Sequence, residues 1–364
     1  MAITKITTDV IDMSGNAGGL TWAKGTTAEQ PGSPTAGDLR ENTETSRTEV
    51  YNGTEWRNLK EALPRPLTVD YLVVAGGGGA GYYGGGGGAG GLITSYTNSS
   101  SLNGHNQSAV TLSLNTSYNV SVGPGGSAGT NGTSGTNGTS STFQTSSSTI
   151  TSTGGGGGGS YNGLSGSTGG SGGGGGMSET SYGTGAAAVT SPLTQGYAGS
   201  DASPVQPGYS GGGAGGGAGA AAIDASGQVG ADGGAGLAVN ILNSNNAGTA
   251  SVGQVSGTDV YYAGGGAGQG TLSGGSGGIG GGGNGGKRDN TVAGDDGTPN
   301  TGGGAGAGNA TIGNGGSGVV ILRYPSSYSI TVGSGLFQST GSPFTEGSYL
   351  VSVFTSGSGT ITFS

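Results

Sequence analysis

The sequence predicts a mostly β and irregular fold with little or no α-helix. It reads as a short N-terminal β module, a glycine-rich bundle of extended, polyproline II-type helices flanked by β-strands, and a C-terminal β-hairpin. Three observations predict this. Glycine fills 94 of the 364 positions, about a quarter against a usual level of about 7%. Only 8% of residues are charged and 30% hydrophobic, too few large apolar side chains for a conventional core. The glycines come in short blocks of similar length, bracketed by two apolar strands.

Charge divides the chain. Residues 1–70 hold 17 of the 29 charged residues, and residues 71–322 hold 10. The change falls near Pro64-Arg65-Pro66, a stiff extended spacer because proline fixes φ and restricts its predecessor. Residues 1–66 therefore read as an attachment or oligomerisation module, 67–325 as the glycine-rich bundle, and 326–364 as a C-terminal strand or hairpin segment.

In the first module, Asp38 to Asn42 and Thr48 to Asn52 have strand length, and Asn52-Gly53 is a turn signal before Trp56. Leu39, Val50, Tyr51 and Trp56 make a small apolar set. Such a set is a marginal core alone, so trimerisation is expected to cover it. The bundle opens with Val69 to Ala75 and closes with Gly318 to Tyr324, both apolar and β-branched. Pairing the first with the last would close it. Between them lie glycine blocks at 76–79, 84–88, 154–159, 172–176, 211–217, 264–268, 281–286 and 302–308, separated by polar linkers of unequal length. Ala109 to Leu114 and Tyr118 to Val122 read as a hairpin ended by Gly123-Pro124-Gly125-Gly126. Tyr349 to Phe354 and Gly359 to Phe363 read as another, turning at Thr355-Ser356-Gly357-Ser358.

Polyglycine alone is a flexible coil, since glycine loses the most conformational freedom on ordering. Composition alone therefore fits a disordered chain. Two features favour order. The bracketing strands need partners, and fixed blocks with varied linkers suit a frame that carries loops. Without side chains, three-fold extended helices rising about 3.1 Å per residue can pack side by side with amides paired between neighbours. Collagen is excluded, because the 11 prolines are scattered and no sustained G-x-y period with abundant proline is present.

These residues resemble a known family. Val69 to Ala75 followed by GGGGAG, and Gly315-Gly316-Ser317-Gly318 followed by VVILRYP, resemble the two ends of a glycine-rich domain common in bacteriophage tail fibres. Ala263-GGGAG and Asn300-Thr301-GGGAGAG look like its internal blocks. The likeness spans about residues 68–325. The run from Gly37 to Trp56 is similar to a β module of phage fibre and appendage proteins, and Tyr349 to Phe363 resembles a segment that accompanies such domains. The resemblance implies a polyglycine II sandwich whose distal loops contact a host surface receptor. Known adhesins of this kind carry a different attachment module.

Other chemistry is poorly supplied. Gly76 to Gly81 fits G-x-G-x-x-G after a strand, but Tyr82-Tyr83 and five more glycines follow, where a dinucleotide site needs a helix. His105, the only histidine, sits in a polar stretch and is expected on the surface. Asp289, Asp295, Asp296 and Gly297 can supply oxygen ligands to Ca²⁺, but they lack the spacing of a known calcium loop, and a solvated acidic loop is the better reading. No metal, cofactor or catalytic residue is expected. With no cysteine, disulfides and thiolate metal sites are excluded. A net charge of −9 argues against nucleic acid as a partner. No signal peptide or transmembrane run is read, so assembly in a host cytoplasm into a virion is expected.

Tyrosine offers a rigid apolar face and a hydroxyl, suited to sugar and protein surfaces. Tyr82, Tyr83, Tyr161, Tyr182, Tyr197, Tyr209, Tyr261 and Tyr262 lie beside glycine blocks and are the candidate receptor contacts. Covering the bundle ends is their alternative role. The expected function is that of a non-enzymatic virion fibre or adhesin, a homotrimer by the coverage argument above, joined to tail or capsid proteins through residues 1–66 and binding a host glycan or outer-membrane protein. A purely structural capsid fibre or decoration protein and an ice-binding protein are the alternatives.

Overall fold

The computed structural model describes residues 23–59, 67–97, 104–161, 164–178, 181–203, 210–289 and 291–364. Pro64-Arg65-Pro66, Tyr209 and the first 22 residues lie outside the described residues. The fold is mostly β, with one short α-helix, Ser244–Ala250, among the described residues. The chain divides into two compact units, 1–66 and 67–364.

In the first unit four strands form one sheet in the order Ala23–Gly25, Leu39–Asn42, Arg47–Tyr51, Trp56–Asn58. The turn signal at Asn52-Gly53 is realised. Gly53 has φ +102°, and Asn52 Oδ1 accepts the N–H groups of Thr54 and Glu55. Tyr51 pairs with Trp56, their rings 5.6 Å apart. The small apolar set is only half-buried, and the residue at the centre is Arg40, 2% exposed. Its guanidinium donates to the Gly25 and Thr26 carbonyls and lies 5.7 Å from the Trp56 ring centroid. The buried charge is balanced by Glu49, whose carboxylate lies 3.6 Å from Nε, while Nη1 is left without a hydrogen-bond partner.

The second unit has an 11-stranded sheet at one end. Leu67–Val74 and Val319–Pro325 pair antiparallel, Val74 opposite Val319, so the two bracketing strands do close the bundle. Side chains alternate between two cores. Leu72, Val74, Ile321 and Val353 face one core, shared with the helix and the segment 237–262. Tyr71, Val73, Leu322 and Phe354 face the other, shared with Val120, Phe143 and Phe363.

Two expected hairpins are corrected. Val110–Leu112 and Ser117–Val122 are strands, but the first pairs with Leu67–Val69 and the second with Gly357–Thr362. The C-terminal segment is not a hairpin either. Tyr349–Phe363 is a single 15-residue strand. Its predicted turn stays extended because both edges are paired, Gly357 opposite Leu336 on one side and Val122 on the other. A register shift and Gly357 at φ +87° bend the strand there, carrying it from one part of the curled sheet to the next.

The glycine blocks form rods without ladder pairing, and the rod 76–81 shows how they cohere. Gly76 and Gly79 donate to Thr139 and Thr136, Gly77 and Ala80 to Gly316 and Gly313, Gly78 and Gly81 to Gly88 and Gly85. Their carbonyls accept from three further segments: Gly76 and Gly79 from Gly155 and Gly158, Gly77 and Ala80 from Gly126 and Gly129, Gly78 from Ala305. The direction repeats every third residue, the period of a polyproline II helix, and one rod is bonded on all sides. A Cβ on Gly77 would lie 2.0 Å from the Gly303 oxygen, and one on Gly78 2.2 Å from the Gly156 oxygen. Only glycine permits that approach.

Much of what the sequence presents as linker is also rod. Gly123, Gly126, Gly129, Gly132, Gly135 and Gly138 recur every third residue. Gly126, Gly129 and Gly135 are buried, while Ser127, Thr130, Thr133 and Thr136 are exposed. These are perimeter rods, needing glycine on one side only. Where an outer N–H has no further rod to meet, a side-chain oxygen accepts it: Asn137 from Gly157, Asn314 from Ala128, Asp296 from Asn314, Asn284 from Gly277, Asp232 from Ser276, Asp201 from Gly185.

Candidate functional site at the far end of the bundle

Each rod runs between the sheet and the opposite, far end, where the chain reverses. Far-end reversals fall at 82–83, 130–133, 226–229, 270–273, 287–292 and 309–311, and beside Tyr161 and Tyr182. They are bonded to one another. Tyr82 N–H donates to the Thr133 carbonyl, Tyr83 to Gly308, Tyr161 to Tyr82, Leu272 to Gln228 and Arg288 to Gly270. Asn309 Nδ2 donates to the Arg288 carbonyl. Adjacent sequence gives no sign that these turns share a surface; the direction of the rods puts them there.

The predicted tyrosines divide. Tyr82, Tyr83 and Tyr161 form an aromatic cluster at the far end. Tyr82 and Tyr83 meet edge to face at 4.7 Å, and Tyr83 and Tyr161 lie 6.0 Å apart. Tyr83 holds φ +49°, a strained value for a bulky residue that its amide bond to Gly308 fixes. Tyr182 is also there, bridged to Met177 and exposed. Tyr197, Tyr261 and Tyr262 lie at the sheet end instead. Tyr261 belongs to the strand Asp259–Tyr262 and is half-buried. Tyr262 is fully buried in the core, its phenol pushed up by burial and by the Glu346 charge, so it contacts nothing outside. Tyr209 lies outside the described residues.

Sequence reasoning passed over Leu164, Val229, Leu272 and Val292, exposed large apolar residues at far-end turns, Leu272 at 61%. The signal available was a lone large apolar residue inside a Gly/Ser/Asn turn, where no core is within reach. Charge at this end is sparse. Lys287 Nζ lies 2.7 Å from Asp289. Hydrogen bonds from Lys287 and Thr291 pull the Asp289 carboxyl down to about 2.

Asp289, Asp295 and Asp296 are not gathered at one point. Asp289 sits in the turn, Asp295 accepts from Asn284, and Asp296 accepts from Asn314 on the bundle perimeter. After the G-x-G-x-x-G residues the chain makes a rod and a turn, not a helix. His105, expected on the surface, is fully buried at the sheet end. Its ring nitrogen Nδ1 meets the Leu92 carbonyl at 3.0 Å, a partner that the polar context of the residue did not reveal. Among the described residues no helix is long and apolar enough to cross a membrane.

A family model described as a glycine-rich domain matches residues 56–325. No curated protein and no solved structure matches the chain.

Proposed function

Since the chain belongs to the glycine-rich domain family, we propose that it is a virion structural protein, a bacteriophage tail fibre or adhesin, whose far-end turns bind a host-cell surface receptor. One observation carries the reading. A rod bundle with little side-chain freedom brings separate turns to one end, and those turns expose Tyr182, Leu164, Val229, Leu272 and Val292. Exposed apolar groups on a rigid frame fit a recognition surface, because little entropy is lost when they are covered. Binding is reversible and involves no bond chemistry. Residues 1–66 attach the protein to another tail or capsid component. The half-buried Leu39, Val50, Tyr51 and Trp56 support a trimer formed through that unit.

The test replaces turns 270–273 and 287–292 with Gly/Ser sequences of equal length. Labelled protein is then titrated onto bacterial cells that the intact chain binds. Binding should fall at least tenfold, about 1.4 kcal/mol, with thermal unfolding unchanged. Full binding after replacement of every far-end turn defeats the proposal.

A further inference from the structure

The strand Leu92–Thr94 terminates one side of the large sheet. An edge strand presents unpaired backbone groups that template association. Here each outward group has a partner. Leu92 N–H donates to the Gln195 carbonyl at 3.0 Å, and the Leu92 carbonyl meets His105 Nδ1 at 3.0 Å. Thr94 N–H donates to the His105 carbonyl at 3.2 Å, and the Thr94 carbonyl accepts Gln107 N–H at 2.8 Å. Three of these four contacts come from segment 104–107, which acts as a strap over the edge.

The strap is fastened by a group that changes charge. A carbonyl only accepts, so in the neutral ring Nδ1 carries the hydrogen and Nε2 is bare. Nε2 is buried without a hydrogen-bond partner. The groups around the ring are neutral, and their carbonyl dipoles offset only part of the cost of burying a positive charge. Strand Leu92–Thr94 and the rod ending at Ala218 act on it through backbone carbonyls, and segment 195–203 brings Tyr197, its ring 6.4 Å away. Among the described residues no charged side chain acts on it.

We propose that His105 is an acid-operated latch: a proton added to the buried ring expels it, and the strap 104–107 leaves the edge Leu92–Thr94. Burial holds the ring below its ordinary range, opposed by the Leu92 and Ala218 carbonyls. A depressed value means that the stability tied to the neutral ring is whole above the ordinary histidine value of about 6.5. It is lost as the pH falls from there through the folded-state value, by at most about 1.4 kcal/mol per pH unit for one proton.

The test is amide hydrogen exchange of the full chain at pH 7.5 and pH 5, corrected for intrinsic rates. Thr94 and Gln107 should lose at least tenfold of their protection in acid. His105→Asn keeps a side-chain N–H near the Nδ1 position but does not titrate, and its protection should be the same at both values. Constant protection in the wild type overturns the proposal, as does an equal acid loss in the variant. A variant that does not fold leaves the ring itself to report, since the chain has one histidine. Titration of that imidazole at its ordinary value while the strap amides stay protected overturns it equally.

Discussion

At Gly78 a methyl group has nowhere to go. Its Cβ would sit 2.2 Å from the Gly156 oxygen and 2.6 Å from the Gly156 carbonyl carbon, both backbone atoms. Two rods must part to admit it, so Gly78→Ala should lower stability by about 3 kcal/mol or more. Gly248 is the opposite case. It lies exposed inside the helix Ser244–Ala250 with nothing within 4 Å of its Cβ direction. Gly248→Ala should raise stability by about 0.5–1 kcal/mol, since alanine is the better helix former. Thermal unfolding followed by circular dichroism checks both, and two shifts of the same sign refute the distinction. The sequence shows where glycines are abundant; which ones are enclosed by other rods depends on contacts such as Gly77 with Gly303, which composition does not encode. Alanine marks the exceptions. Ala80, Ala305 and Ala307 meet one another in a small apolar cluster, where methyl groups face methyl groups.

Among elements, the perimeter rods were the most misleading. The run from Gly123 to Gly138 reads as a polar linker until its three-residue period is set against a three-fold helix. Asn137 shows what terminates the packing. Its Oδ1 accepts Gly157 N–H at 2.9 Å and its Nδ2 donates to the Thr168 carbonyl at 3.0 Å. Asn137→Ala should cost about 1–2 kcal/mol in urea unfolding, because the Gly157 donor is left without its acceptor. Asn137→Asp keeps that acceptor and should cost less; an Asp variant as damaged as the Ala one would sink this account of the cap. Strands were easier to read than rods. Val69 to Ala75 and Gly318 to Tyr324 declare themselves by β-branched runs, and the structure pairs them. The break read at Thr355 to Ser358 was wrong for a non-local reason: the partners that keep it extended, Leu336 and Val122, are remote in sequence.

For the whole molecule, the second unit depends on its last strand. Val320 faces Phe354 and Arg323 faces Val351 across the sheet, and the Arg323 guanidinium lies 3.5 Å from the Tyr349 ring centroid. A chain ending at residue 325 keeps every glycine block yet loses one of the two partners of Val319–Pro325, with Phe354, Ile361 and Phe363 from one core and Phe344, Val351 and Val353 from the other. It should fail to give a cooperative unfolding transition; a sharp transition from that fragment would show that the rods sustain themselves. The far-end surface was legible only in part. Tyrosine beside glycine found Tyr82, Tyr83, Tyr161 and Tyr182, and also returned Tyr262, which is core. The local patterns are alike, and only the direction of each rod separates them.

The three-fold screw also sets a grammar for change in length. Two residues added within the rod 76–81 would rotate every later N–H by two thirds of a turn, away from its neighbour and toward the wrong one. Three residues restore each direction and only lengthen the rod, by about 9 Å. Insertions inside rods should therefore be tolerated in multiples of three, and insertions at the far-end turns in any number. Inserting Gly-Gly or Gly-Gly-Gly after Gly79, and comparing soluble yield and melting, measures whether this chain counts in threes.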